Sequence, residues 1–249
     1  MARHLRAIWL VLVAACTPTV SAGGGGSNVG SGSNPGGGGS NKGSDIISAR
    51  FEHDMMVRLH MHENFGMVQA IEHLLVRNRF DEARELARGI ALAPDEPGMS
   101  TWATENARVR EQASSVANAA TLEDALHAVT RLGGACAACH VANGTLPDLS
   151  TTPTAPPDRT TLEARMARHR WATERLWEGM IGLSDESWRA GLDVLTSTPL
   201  PATELGKERE ALAKNLQRTA KRARGVKAGD RADVYGEMLV ICAQCHTHH

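Results

Sequence analysis

One five-residue pattern occurs twice in this 249-residue chain, as Cys136-Ala137-Ala138-Cys139-His140 and as Cys242-Ala243-Gln244-Cys245-His246, 106 residues apart. Two thiols three residues apart lie on one face of a helix, where each can add to a vinyl group of the same porphyrin, and the His that follows is carried beneath the iron. The pattern therefore reads as covalent attachment of c-type haem. Two haem c groups are expected, held by thioethers to Cys136, Cys139, Cys242 and Cys245, with His140 and His246 as proximal iron ligands. A thioredoxin-like dithiol needs a βαβ context, and a four-cysteine zinc site needs the two pairs brought together across a long intervening chain. Neither explains a His after both pairs.

The start of the chain speaks to compartment. Arg3, His4 and Arg6 precede an apolar run, Ala7 to Ala15, that is too short to span a bilayer and closes on Val13-Ala14-Ala15-Cys16. This ending resembles a bacterial lipobox, with Val13 where Leu is commoner. The resemblance implies a signal peptide over 1–15 and lipidation of Cys16, which anchors the mature chain to a membrane. An ordinary cleavable secretory signal with an incidental Cys is the alternative. Both predict export, and bacteria attach haem to C-x-x-C-H outside the inner membrane. With one Cys in the lipobox and four in the pentads, none of the five remains for a disulfide. Residues 16–44 are dominated by Gly, Ser and Asn, including Gly23 to Gly26 and Gly36 to Gly39. Such a stretch buries no core and acts as a flexible tether with a root-mean-square reach of roughly 30 Å.

From Asp45 onward apolar residues recur at three and four, and no useful run alternates with period two, so the folded part is expected to be all-α. The pattern predicts helices over 45–77, 80–92, 99–118 and 122–140, then over 161–183, 185–195, 202–224 and 231–246. Pro94 and Pro97 interrupt the second connection, Thr121 heads a capping box, Ser184 is placed as an N-cap and Gly225 as a stop. Phe65 and Trp171, Glu72 and Glu178, and the pentads all share the 106-residue offset. The chain thus reads as two copies of one module, 45–145 and 159–249, joined by a Pro- and Thr-rich linker at 146–158.

A four-helix bundle of this size with C-x-x-C-H near the end of its last helix resembles the class II cytochromes c, the cytochrome c prime type. The resemblance covers residues 45–249 and implies two tandem four-helix bundles. Only Thr247, His248 and His249 follow His246, so a far-side ligand for the second haem is expected from upstream, from the first helix of its module. Relatives with six-coordinate haem imply a Met there. Met61 lies in the stripe Val57, Met61, Phe65, Val68, Ile71 and Leu75. Met166 lies in the stripe Leu162, Met166, His169, Thr173, Leu176 and Met180. Met61 and Met166 are the candidate distal ligands, aligned at the expense of one residue of register against the pentads. His60, His62 and His169 lie within a turn of them, and a bis-His site lowers the potential of iron relative to His/Met. His62 and His169 are the alternatives, and a stripe Met is otherwise ordinary core.

Five Trp, one Tyr and three Phe are few for building cores, and a porphyrin supplies missing volume. Trp171, Trp177 and Trp188 read as core. A net charge of −1 points away from nucleic acid. The segment from Lys207 to Arg231 carries nine Lys or Arg against Glu208, Glu210 and Asp230. It reads as a solvated helix face, with guidance of an acidic redox partner as the other option. The expected function is a membrane-tethered dihaem electron carrier serving redox partner proteins of the periplasm or cell envelope, rather than an enzyme. Binding of nitric oxide or carbon monoxide at an open sixth position is the alternative. A dihaem peroxidase needs acid–base groups beside an open haem, and no convincing set of them stands out.

Overall fold

The computed structural model describes residues 42–94, 99–147, 153–200 and 202–247; among them there is helix and connecting turn but no strand. The expected signal peptide, Cys16 and the tether as far as residue 41 lie outside the described residues, while residues 42–44, expected as tether, are helical. The first half comprises α1 (Lys42–Val76), α2 (Phe80–Ala91), α3 (Ala103–Ala117) and α4 (Leu122–Ala142). The second comprises α5 (Leu162–Ile181), α6 (Asp185–Ser197), α7 (Ala202–Ala223) and α8 (Arg231–Thr247). All eight expected helices are present among the described residues, most with ends within a few residues of those predicted.

Local chemistry explains these boundaries. Thr121, Thr161 and Ser184 each accept a hydrogen bond from the backbone N–H three residues on, at 3.1, 3.3 and 3.1 Å, capping α4, α5 and α6. Asn78 (φ 59°) and Leu183 (φ 52°) turn the chain between α1 and α2 and between α5 and α6. Two departures from expectation have causes of the same kind. Before α3, the Trp102 N–H bonds to the Met99 carbonyl at 2.9 Å, so residues 100–102 wind as a tighter 3₁₀ turn. Within α7, Gly206 adopts φ 75°, open to glycine at no steric cost, and kinks the helix one turn from its start.

The helices of Gly43–His249 form one compact unit around a continuous apolar core. Val68, Ile71 and Leu75 of α1 meet Ala83, Ala87 and Ile90 of α2 and Leu126, Val129 and Leu132 of α4 in that core. The second half adds Leu176 and Trp177, Trp188 and Leu192, Ala220, and Tyr235 with Met238. The halves join where α4 packs on α8 and α5. A Cβ on Gly236 of α8 would lie 2.6 Å from His127 Nδ1 of α4, and one on Gly133 of α4 would lie 2.6 Å from Met180 Cε of α5. At the α5–α6 crossing the neighbour is backbone, because a Cβ on Gly179 would sit 2.6 Å from the backbone nitrogen of Trp188. Backbone cannot swing aside as a side chain does, so Gly179→Ala is expected to lower the urea midpoint at unchanged slope, at a cost of about 1–3 kcal/mol.

The start of α8 is fixed by Arg231, which is buried. Its guanidinium donates to the Gly179 carbonyl at 2.7 Å, pairs with Asp185 and lies over the Trp188 ring, 5.2 Å from its centroid. The second pentad is carried about three to four turns below this anchor. Along the basic stretch, Lys214, Arg222 and Arg224 pair with Glu210, Glu237 and Asp193, as a solvated helix face does. Among the described residues no helix is long and apolar enough to cross a membrane.

Candidate functional site

Both pentads lie at the C-terminal ends of helices, the first on α4 and the second on α8. On α4 the helix stops at Asn143-Gly144, where Gly144 takes φ 63° and the Thr145 N–H closes on the His140 carbonyl at 3.0 Å. That turn returns the Thr145 carbonyl to the His140 ring. A carbonyl can only accept, so His140 Nδ1–H donates to it at 2.8 Å, which leaves Nε2 as the lone-pair nitrogen of the ring. A metal-binding imidazole is commonly oriented through its second nitrogen in this way. Asn143 caps the same end, donating to the Cys139 carbonyl at 2.7 Å.

The second pentad opens onto a cavity of about 460 Å³, within the range of small-molecule and cofactor sites. Cys242, Cys245 and His246 of α8 form one wall, and Met166, His169 and Thr173 of α5 line it as well. Leu195, Leu200, Leu212, Leu216 and Leu239 make it predominantly apolar. The far end of α1 and the turn after it line it with Glu72, His73, Val76 and Arg77, so the first half of the chain builds part of the site of the second. Exposed Arg77 and Arg170 bring positive charge to its walls.

Of the two distal candidates in this cavity, His169 is buried and held through one ring nitrogen. Its Nε2–H donates to the Thr198 carbonyl at the end of α6, at 3.1 Å, and desolvation lowers its pKa from the ordinary value, keeping the ring neutral. Met166 lines the cavity and, as a thioether, has no proton to commit.

The first half is arranged differently. Met61 is half-buried and His62 exposed, and neither lines a described cavity with Cys136, Cys139 and His140. A cavity of about 40 Å³ is lined instead by His60 and Asn64 of α1, Ile90, and Asn106 and Arg110 of α3. Shifted by 106 residues, His60, Asn64, Asn106 and Arg110 fall on Met166, Arg170, Leu212 and Leu216, all on the wall of the large cavity. The unbroken offset therefore sets His60 against Met166, and polar side chains replace two leucines.

The four pentad thiols are not activated. Desolvation pushes Cys136 and Cys242 up to about 12 and raises Cys139 and Cys245 as well. A dithiol redox motif lowers a thiol pKa to expose a thiolate, the opposite direction. Among the described residues no three His, Cys, Asp or Glu side chains converge as a metal cluster.

Glu72 and Tyr235 were not legible as site residues. Glu72 is 3% exposed and accepts from the Tyr235 hydroxyl at 2.8 Å. Burial holds its carboxyl up at about 8, against the lowering effect of that hydrogen bond. The available signal was a carboxylate inside the stripe Val68, Ile71 and Leu75. Between the ordinary carboxylate range and about pH 8 the folded state binds a proton that the unfolded chain has lost, so stability falls as pH rises across that window. Glu72→Gln is expected to remove this dependence, and at pH 9 to be more stable than the parent by on the order of a few kcal/mol in urea denaturation. Comparison with protein-family models, curated proteins and solved structures finds no match for this chain.

Proposed function

We propose that this chain is an exported, membrane-tethered dihaem cytochrome of the class II type, with a haem bundle in each half, that carries single electrons between redox partners. The observation that carries the proposal is one cavity lined at once by Cys242, Cys245, His246 and Met166. The donor set fits the group. Cys242 and Cys245 at i and i+3 would hold the ring, and His246 on α8 and Met166 on α5 would be the residues available to its iron. The leucines match an apolar macrocycle, while Arg77 and Arg170 supply charge for its propionates.

When bound, the haem supplies the one-electron iron couple. The chain's contribution is to hold, orient and enclose. The apolar walls would keep water from the ring, and the bond from His169 to Thr198 fixes the end of α6 against α5. In the first half, the His140–Thr145 bond sets ring orientation and tautomer before any ligand is bound. Lipid on Cys16 and the glycine-rich stretch would keep the carrier concentrated near membrane partners.

The test is an oxidised and reduced absorption spectrum of the purified haem-loaded protein, with and without carbon monoxide. A low-spin second haem, inert to carbon monoxide and showing the weak near-infrared band of sulfur-to-iron ligation, is expected. High-spin haems whose spectra shift with carbon monoxide would replace electron transfer by gas binding.

A further inference from the structure

We propose that Glu72, reaching from the first half into the site of the second, takes up one proton from solvent when that site accepts one electron, and returns it when the electron leaves. The proposal rests on the haem reading of the large cavity. Glu72 lines the same cavity as Cys242 and His246, and its hydrogen bonding has room for two protonation states.

The Tyr235 hydroxyl lies 2.8 Å from Glu72 Oε1 and 3.1 Å from the Thr173 carbonyl oxygen. A phenol has a single proton, and the carbonyl can only accept. With Glu72 ionised, that proton serves one acceptor and leaves the other short. With Glu72 protonated, the carboxylic acid donates to the tyrosine oxygen, which donates in turn to Thr173, and both contacts become hydrogen bonds. Rotation of one hydroxyl interconverts the two arrangements, so no backbone movement is required.

The surroundings favour the exchange. From α5, Glu174 faces this carboxyl and adds like charge, while Glu163, His169 and Arg170 border the cavity. From α8 come Tyr235, Cys242, Cys245 and His246, and from α1 and the turn after it His73 and Arg77. The walls contributed by α6 and α7 include Leu195, Leu212 and Leu216. Burial is the largest influence on Glu72 and holds its carboxyl at about 8, within reach of neutral solution. Exposed His73 and Arg77 line the same cavity and bring its wall to solvent. An electron placed in so apolar a site adds negative charge at short range, where charges interact far more strongly than in water. The carboxyl then binds its proton more tightly. Between its oxidised and reduced pKa values, one electron from a one-electron donor protein enters with one proton from water.

The experiment is potentiometric titration of the full haem-loaded chain across pH, for the parent, Glu72→Gln and Tyr235→Phe. Reduced-minus-oxidised infrared spectra follow the carboxylic-acid carbonyl band. One couple of the parent should weaken as pH rises through a limited range, by about tenfold in equilibrium constant per pH unit at most, which is about 59 mV for one electron. Glu72→Gln should flatten that couple and abolish the carbonyl band. Tyr235→Phe should retain the slope but move it to higher pH, because the carboxylate loses the hydrogen bond that stabilises it. Should Glu72→Gln fail to fold, the direction of the Tyr235→Phe shift decides. Two bound haems with a pH-independent couple, or a slope that survives in Glu72→Gln, overturn this proposal alone. A chain that binds no haem at Cys242 and Cys245 overturns the functional proposal and this one with it.

Discussion

Cys242→Ala with Cys245→Ala is expected to halve the covalently bound haem, leaving one group per chain that resists extraction after denaturation. Both thiols lie on the α8 wall of the large cavity, three residues apart, so each reaches the same side of one ring. Without them a porphyrin has only non-covalent contacts and the His246 ligand, and washes out under denaturing solvent. The first pentad lies on α4 at the end of a different helix, so its haem should remain. Cys136→Ala with Cys139→Ala should give the reciprocal loss. A haem-to-protein ratio unchanged in the α8 variant would remove that pentad from the proposal.

Met166→Leu is the second large effect, converting the second haem from low-spin to high-spin and opening it to carbon monoxide. Leu keeps the volume and apolar character of the wall while removing the only atom of that side chain able to bind iron. His169 is held in place by its 3.1 Å bond to the Thr198 carbonyl, which leaves only Nδ1 with a lone pair, and Thr198 also receives the Arg168 guanidinium on its hydroxyl at 3.2 Å. His169→Gln should therefore lower stability and leave the spectrum of the second haem in place. The reverse pattern, a spectrum altered in His169→Gln and intact in Met166→Leu, would transfer the ligand role to His169.

Local features were open to reading from sequence because their causes are local. Thr121 and Ser184 cap helices through atoms three residues away, and the apolar stripes with period near four point to an all-helical fold. Both pentads carry their spacing on their face. Contacts made across the molecule were not legible. Glu72 meets Tyr235 across 163 residues, and no periodicity announces that α1 of one half forms a wall for the other. The choice of Met61 rested on matching Met to Met at the loss of one residue of register. The small cavity of the first half is lined by His60 and Asn64 of α1, which the unbroken offset places on Met166 and Arg170. The kink at Gly206 needed the backbone itself, since a lone glycine in a helical pattern is compatible with either course.

The measurement to make is the intact mass of the chain, expressed with a haem-attachment system and analysed under denaturing conditions. A mass increased by two haems, falling to one when either cysteine pair is replaced, is the expected result. A chain that travels without haem, with all four pentad thiols open to alkylation, would end the cytochrome proposal.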